Sequence, residues 1–328
     1  MRRFLMILRL TALALLALVV FAFVLNTNWL APHPTGKPLV IAHRGMGQTF
    51  HREGLTGTTC TAERIFPPEH DHIENTIDGF AAAFAAGADI VEFDVHPTTD
   101  GHFVVFHDWT LDCRTDGHGV TREQALPYLK SLDVGFGYTA DGGKTFPFRG
   151  KGVGLMPTLD EVLAAFPEKR FLINIKSDDA SEGQRLAAKL AALDDAHRAR
   201  IEVYGGGRAI AEVSAALPDM TVLGTDAARK CLMNYAVLGW LGIVPKQCRN
   251  TLFMVPLNFT WLAAGFPDRL SARLADHGTT VVLLGPYDGS GFSSGIDEVS
   301  DLDDVPKRFD GMIWTNRIDR IGPALAAR

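Results

Sequence analysis

The sequence predicts an α/β chain folded as a TIM-like (β/α)8 barrel with insertions, preceded by one N-terminal transmembrane helix. Three observations lead there. Short apolar strands alternate with amphipathic helices along most of the chain. The 328 residues, 47% hydrophobic and 21% charged, supply the core of one barrel-type domain of roughly 250 residues once the N-terminus is set aside. An almost unbroken apolar run opens the sequence. The expected organisation is an N-terminal membrane anchor or signal over 1–30, a linker over 31–38 and the barrel domain over 39–328. A net charge of −6 argues against a nucleic-acid surface.

From Phe4 to Leu25 the chain is apolar apart from Arg9 and Thr11. As a helix this stretch would span roughly 33 Å, about one bilayer core. A cleaved signal is the alternative, but signal apolar regions are usually only about 7–15 residues long. No small-x-small site follows, because Asn26-Thr27-Asn28-Trp29-Leu30 is bulky. Arg2, Arg3 and Arg9 place the N-terminus in the cytoplasm and the domain outside, with Trp29 at the outer interface. The domain would be secreted if the N-terminus is cleaved. Three prolines between Ala31 and Pro38 read as a short stalk. The four cysteines form no CxxC, which disfavours a zinc or redox motif. Cys231–Cys248, closing a local loop, and Cys60–Cys113, tying two loops, are the expected disulfides; buried free thiols are the alternative.

The chemistry concentrates in three strand ends. Pro38 to Ala42 runs into His43-Arg44-Gly45. The strand Ile90-Val91-Glu92-Phe93-Asp94-Val95 carries two carboxylates at i and i+2, which point to one face. Two like charges there are costly unless a cation answers them, and a divalent metal with oxygen ligands is the simplest answer. A third strand, Phe103 to Phe106, ends in His107-Asp108. Two histidines, an arginine and a carboxylate pair are suited to metal-assisted phosphoryl transfer. His51, His70 and His72 are irregularly spaced in a loop and read as solvated.

Taken in order, His43-Arg44-Gly45, Glu74-Asn75-Thr76, Gly87 through Val95, and Val104 through Asp108 resemble the successive signatures of the glycerophosphodiester phosphodiesterase family. The resemblance runs from about Leu39 to Ile175 and thinly to Asp319. It implies a barrel hydrolase with His43 and His107 as acid and base and Arg44 on the phosphate. It implies a metal, Mg²⁺ or Ca²⁺, on Glu92 and Asp94, with Glu74 helping to hold Arg44. The family's strand glutamate aligns with Asn174, which removes one charge from the metal set but still offers a carbonyl oxygen. Lys176, two residues on, matches the family lysine and would offset phosphate charge. Trp314 would line a glycerol or headgroup pocket, with a core role equally open.

The other elements follow from local signals. Met46 to Ile73 is a long insertion after the first strand, read as a lid or specificity loop. A helix spans Thr76 to Ala86, with Asn75 as a candidate N-cap. A turn at Thr98–Gly101 leaves no room for a helix before the His107 strand. Trp109 to Met156 is loop-like cover. Thr158 and Glu161 form a capping box. Alternating elements continue to Leu223, and Cys231 to Pro267 is an apolar segment read as core or as a membrane-facing or acyl-chain lip. The expected function is metal-dependent hydrolysis of a glycerophosphodiester or lysophospholipid, a small-molecule or lipid substrate. The alternative is a barrel that binds such a ligand without turning it over. Glycoside hydrolysis is disfavoured, because carboxylates at i and i+2 cannot flank a bond.

Overall fold

Strands that are apolar on both faces must be covered on both faces, which favours parallel pairing under helices. The computed structural model describes residues 2–34, 36–56, 59–289 and 294–328 and has this arrangement. Thr35 of the linker and Gly57 and Thr58 of the insertion lie outside the described residues. The strands are β1 (Leu39–His43), β2 (Ile90–Pro97), β3 (Phe103–Val105), β4 (Arg170–Ile175), β5 (Ile201–Gly205), β6 (Val222–Gly224), β7 (Leu252–Pro256), β8 (Thr280–Leu284) and β9 (Met312–Thr315). The helices are α1 (Arg2–Asn26), α2 (Ile77–Ala85), α3 (Leu126–Ser131), α4 (Leu159–Ala165), α5 (Ala180–Ala191), α6 (Asp195–Arg198), α7 (Gly207–Ala216), α8 (Thr225–Leu238), α9 (Asp268–Ala275) and α10 (Ile318–Ala326).

Eight strands run parallel in the order β6-β5-β4-β2-β1-β9-β8-β7. The sheet curls into a nearly closed barrel, and at the seam Thr251 Oγ1 donates to the Val222 carbonyl at 2.7 Å. The interior is a small apolar plug of Ile41, Ile90, Leu172, Leu223, Leu252, Val282, Met312 and Trp314, a packed core rather than a pore. A larger apolar layer lies between the strands and the surrounding helices, with Phe80, Phe93 and Phe171 at its centre. β3 lies off this path and pairs antiparallel with β2. That hairpin explains why no helix fits between them.

A second core sits beside the barrel. Ala62, Ile65 and Ile73 of the insertion pack with Leu111, Leu129, Tyr138 and Phe148. The Cys60–Cys113 disulfide joins the two segments, so the segments read from sequence as loops form one structured cap. Cys231–Cys248 is also formed. Two disulfides agree with an oxidising compartment. α1 is long and apolar enough to cross a membrane, with a mean hydropathy of 2.6 over its most apolar stretch.

Candidate active site

Parallel register brings the polar strand ends together. His43 of β1 lies opposite Glu92 of β2, and Asp94 lies opposite Asn174 of β4, which in turn faces Tyr204 of β5. Glu92 and Asp94 are fully buried on the shared face that their spacing requires. After His43 the chain turns through the left-handed region at Arg44 (φ 61°) and Gly45 (φ 75°). A Cβ at Gly45 would meet the Phe80 ring at 2.6 Å, so only glycine fits. The turn aims the Arg44 backbone N–H at Glu92 Oε2 (3.1 Å) and its guanidinium at Glu74 Oε1 (3.0 Å) and Asp94 Oδ2 (3.5 Å).

Glu74 therefore sits where the resemblance places it, holding Arg44. Asn75 departs from its expected role: Thr76 caps α2 by accepting from the Gly79 N–H. Asn75 instead takes a left-handed conformation (φ 56°), which asparagine tolerates. Its side chain bonds both the Asp94 carboxylate (3.3 Å) and the Asp94 N–H (3.4 Å). The capping box of Thr158 and Glu161 is formed as expected.

Each histidine is oriented through Nδ1. His43 Nδ1 donates to Asn316 Oδ1 at 2.6 Å. The Asn316 amide is fixed by its Nδ2, which donates to Asp297 Oδ2 at 2.8 Å. His43 Nε2 is thereby left without a proton and accepts from Arg44 Nε at 3.2 Å. His107 Nδ1 donates to Asp108 Oδ1 at 2.7 Å. The other Asp108 oxygen accepts from Arg114 Nε at 2.8 Å, and Arg114 also pairs with Glu74 at 3.1 Å. Burial, reinforced by the charge of Arg44, holds His43 well below the usual imidazole range and lowers His107 as well. Burial alone would raise Asp108, but Arg114 and His107 hold it far below the ordinary carboxylate range.

The carboxylate pair splits in the way two like charges in one site must. Burial and the neighbouring Asp94 push Glu92 up to about 8. Asp94, drawn down by Lys176, His107 and Arg44 against its burial, stays ionised. Tyr204 donates its hydroxyl to Glu92 Oε1 at 2.5 Å. Lys176 Nζ lies 3.4 Å from Asp94 Oδ1, so its contact is with the carboxylate rather than with open space.

Asn174 turns its amide nitrogen toward Asp94, donating from Nδ2 to Oδ1 at 2.9 Å. A half turn of the amide would present the oxygen. Among the described residues, no group of three or more His, Cys, Asp or Glu side chains is arranged to hold an ion. What remains is two carboxylates and one amide, an oxygen set that suits a divalent ion keeping several waters.

A cavity of about 240 Å³ opens beside His43 and Arg44. Its walls include Gln48, Phe50 and Phe66 of the insertion and Asp297 and Arg317 from the C-terminal part of the chain. Trp314 takes the core alternative: it is buried in the barrel interior with its ring 4.8 Å from the His43 ring. The insertion histidines take protein partners: His70 meets Gln48 and His72 meets Asp78. Sequence reasoning did not assign Asn316, Asp297, Tyr204 or Arg114. Asn316 lies 273 positions from the histidine it orients, and no local pattern carries that pairing.

The glycerophosphoryl diester phosphodiesterase family model matches residues 43–213, just over half of the chain. The chain belongs to this family. It is 37% identical over 140 residues to a glycerophosphodiester phosphodiesterase of Caldanaerobacter subterraneus subsp. tengcongensis, covering 43% of this chain and 45% of that protein. It is 31% identical over 195 residues to a glycerophosphodiester phosphodiesterase of Bacillus subtilis, covering 56% of this chain and 57% of that protein. The chain thus spans about half the length of these relatives. The glycerophosphoryl diester phosphodiesterase domain of a Mycobacterium tuberculosis protein shares the fold at TM-score 0.62 and 19% identity, over 89% of this chain and all of that domain. An Oleispira antarctica phosphodiesterase, solved with its product sn-glycerol-3-phosphate, aligns at TM-score 0.55 and 20% identity over 88% of this chain and 97% of that one.

Proposed function

We propose that this chain is a membrane-anchored, metal-dependent phosphodiesterase that hydrolyses glycerophosphodiesters or lysophospholipids outside the cytoplasm. The observation that carries the chemistry is the pair of imidazoles, each with Nδ1 committed to an acceptor, His43 Nε2 facing Arg44. His43, held by a neutral amide and far below its usual range, is the base toward the attacking oxygen. His107, its Nδ1 proton held by the ionised Asp108, is the acid toward the leaving alkoxide. Arg44 binds non-bridging phosphate oxygens. Lys176 adds charge from behind Asp94, and Glu74 and Arg114 hold Arg44 and Asp108 in place.

Glu92 and Asp94 would hold the divalent ion, Mg²⁺ or Ca²⁺, with Asn174 as a neutral neighbour. The bound ion would polarise the phosphoryl group and offset its charge.

The test is choline or ethanolamine release from glycerophosphodiesters and lysophospholipids by metal-free protein titrated with Mg²⁺ or Ca²⁺, beside His43→Ala. Metal-dependent release that is lost in the variant is expected. No release with either ion from folded protein would move the weight to a binding role, with Asn174 as the reason.

A further inference from the structure

We infer that the outward side of α8 and the turn after it form a second membrane-contact surface, seated on the bilayer that α1 crosses. This rests on the proposal that α1 is an uncleaved membrane span. α8 has two faces at helical spacing. Cys231, Tyr235 and Gly239 point inward and are buried. Met233 (60% exposed), Val237 (71%), Trp240 (45%) and Leu241 (48%) point outward, and Ile243 (47%) continues the patch. A contiguous apolar surface of this kind marks a site of contact. Exposed Arg229 and Lys230 precede it in sequence, and exposed Lys246 and Arg249 follow it. An aromatic and aliphatic centre with a basic rim is the pattern of a surface that meets acyl chains and phosphate headgroups together.

The position of α1 identifies the occupant. Its last turn is fixed to the turn after α8, beside this face. Asn26 Nδ2 donates to the Trp240 carbonyl at 3.0 Å. Arg273 bridges the two parts: Nη1 donates to the Tyr235 hydroxyl (2.7 Å) and the Gly239 carbonyl (2.9 Å), and Nη2 donates to the Leu25 carbonyl (3.0 Å) and Asn26 Oδ1 (3.1 Å). Arg269 Nε donates to the same Leu25 carbonyl at 3.1 Å. Two guanidinium groups thus cap the negative end of the α1 dipole, where unpaired carbonyls are expected. The end of a membrane-spanning helix lies at the interface, so whatever is fixed to that end lies there too. Cys231–Cys248 and the Tyr235 hydroxyl, which donates to the Ala264 carbonyl, hold the lip rigidly to the barrel. The surface therefore meets lipid, and the barrel has one preferred attitude on the membrane instead of swinging on its stalk.

The test uses the full chain in nanodiscs with brominated acyl chains, in a Trp29→Phe background that removes the anchor's own reporter. Trp240 fluorescence should be quenched and blue-shifted relative to Trp29→Phe/Trp240→Phe. Replacing Val237, Leu241 and Ile243 with serine should relieve at least half of that quenching while alkaline carbonate still leaves the chain in the membrane. Carbonate-resistant protein whose Trp240 is unquenched overturns the lip and leaves the anchor standing. A chain released by carbonate overturns the anchor and the lip with it, and leaves the proposed chemistry untouched.

Discussion

The two histidines of the barrel mouth are alike in burial and opposite in support. His43 is held by the neutral amide of Asn316, with the Asp297 carboxylate one bond further back, and its ring lies tilted against the Trp314 ring. His107 leans on an ionised carboxylate, Asp108, itself paired with Arg114. Both acceptors favour the charged ring, a carboxylate more strongly than an amide, while burial pulls both histidines down. On the proposed mechanism these different supports go with two jobs, proton acceptor at His43 and proton donor at His107.

The largest expected effects break this pair outright. His43→Ala and His107→Ala should each lower turnover by roughly 10²–10⁴-fold. They should differ with a p-nitrophenyl phosphodiester, whose leaving group needs no proton. That substrate should restore much of the rate in His107→Ala and little in His43→Ala. Rescue of the His43 variant instead would reverse the assignment.

Next in size is an exchange of support. Asn316→Asp puts a carboxylate behind His43 and should raise its pKa. A base that protonates more readily is lost at higher pH, so the acid limb of kcat/KM should move up by about 1 unit, the scale of a neighbouring charge. An unmoved limb in a pH–rate profile would mean that His43 is not the base it reports.

The metal should respond to both carboxylates. Glu92, pushed up to about 8 without metal, still carries its proton at neutral pH. Ion uptake should therefore release close to one proton near pH 7, and apparent affinity should fall as pH drops below 8. Calorimetry in buffers of different ionisation enthalpy counts that proton; a count of zero would mean that Glu92 is already ionised. In the same assay Asn174→Glu should tighten binding, and an unchanged or weaker affinity would remove Asn174 from the site.

The smallest effect is on stability. The Asp108 pKa is depressed on folding, so its contribution is present above the unfolded value near 3.9 and lost as pH falls through the folded one. Asp108→Asn should cost about 1–3 kcal/mol at pH 7, since Arg114 keeps Glu74 as a partner. The variant should also show a shallower loss below pH 4 in denaturant titrations. Equal slopes for the two proteins would mean that Asp108 titrates normally.

The region around α8 and α9 makes a further contrast with the mouth. At the mouth the buried charges of Arg44, Glu74, Asp94, Asp108 and Arg114 are paired with one another. At α8 apolar side chains are left outside, and arginines reach across to the anchor.

What the sequence by itself determined is what short-range periodicity encodes. Strand spacing put Glu92 and Asp94 on one face, helical spacing and Thr158 with Glu161 placed α4, and the apolar run defined α1. The ordered motifs led to the family and hence to the barrel, and the pairing of the four cysteines was legible from loop closure. Tertiary structure decided who supports whom. Closure of the barrel brought Asn316 to His43 and Tyr204 to Glu92, and the disulfide-joined cap delivered Arg114 to Asp108 and Glu74. It put Trp314 in the barrel core beside His43, one of two roles the sequence left open, and moved Asn75 from a helix cap to the Asp94 clamp. Those outcomes depend on strand register and on contacts between segments far apart in the chain. No local spacing rule encodes them, because the free energy that selects such contacts exists only once the barrel has closed.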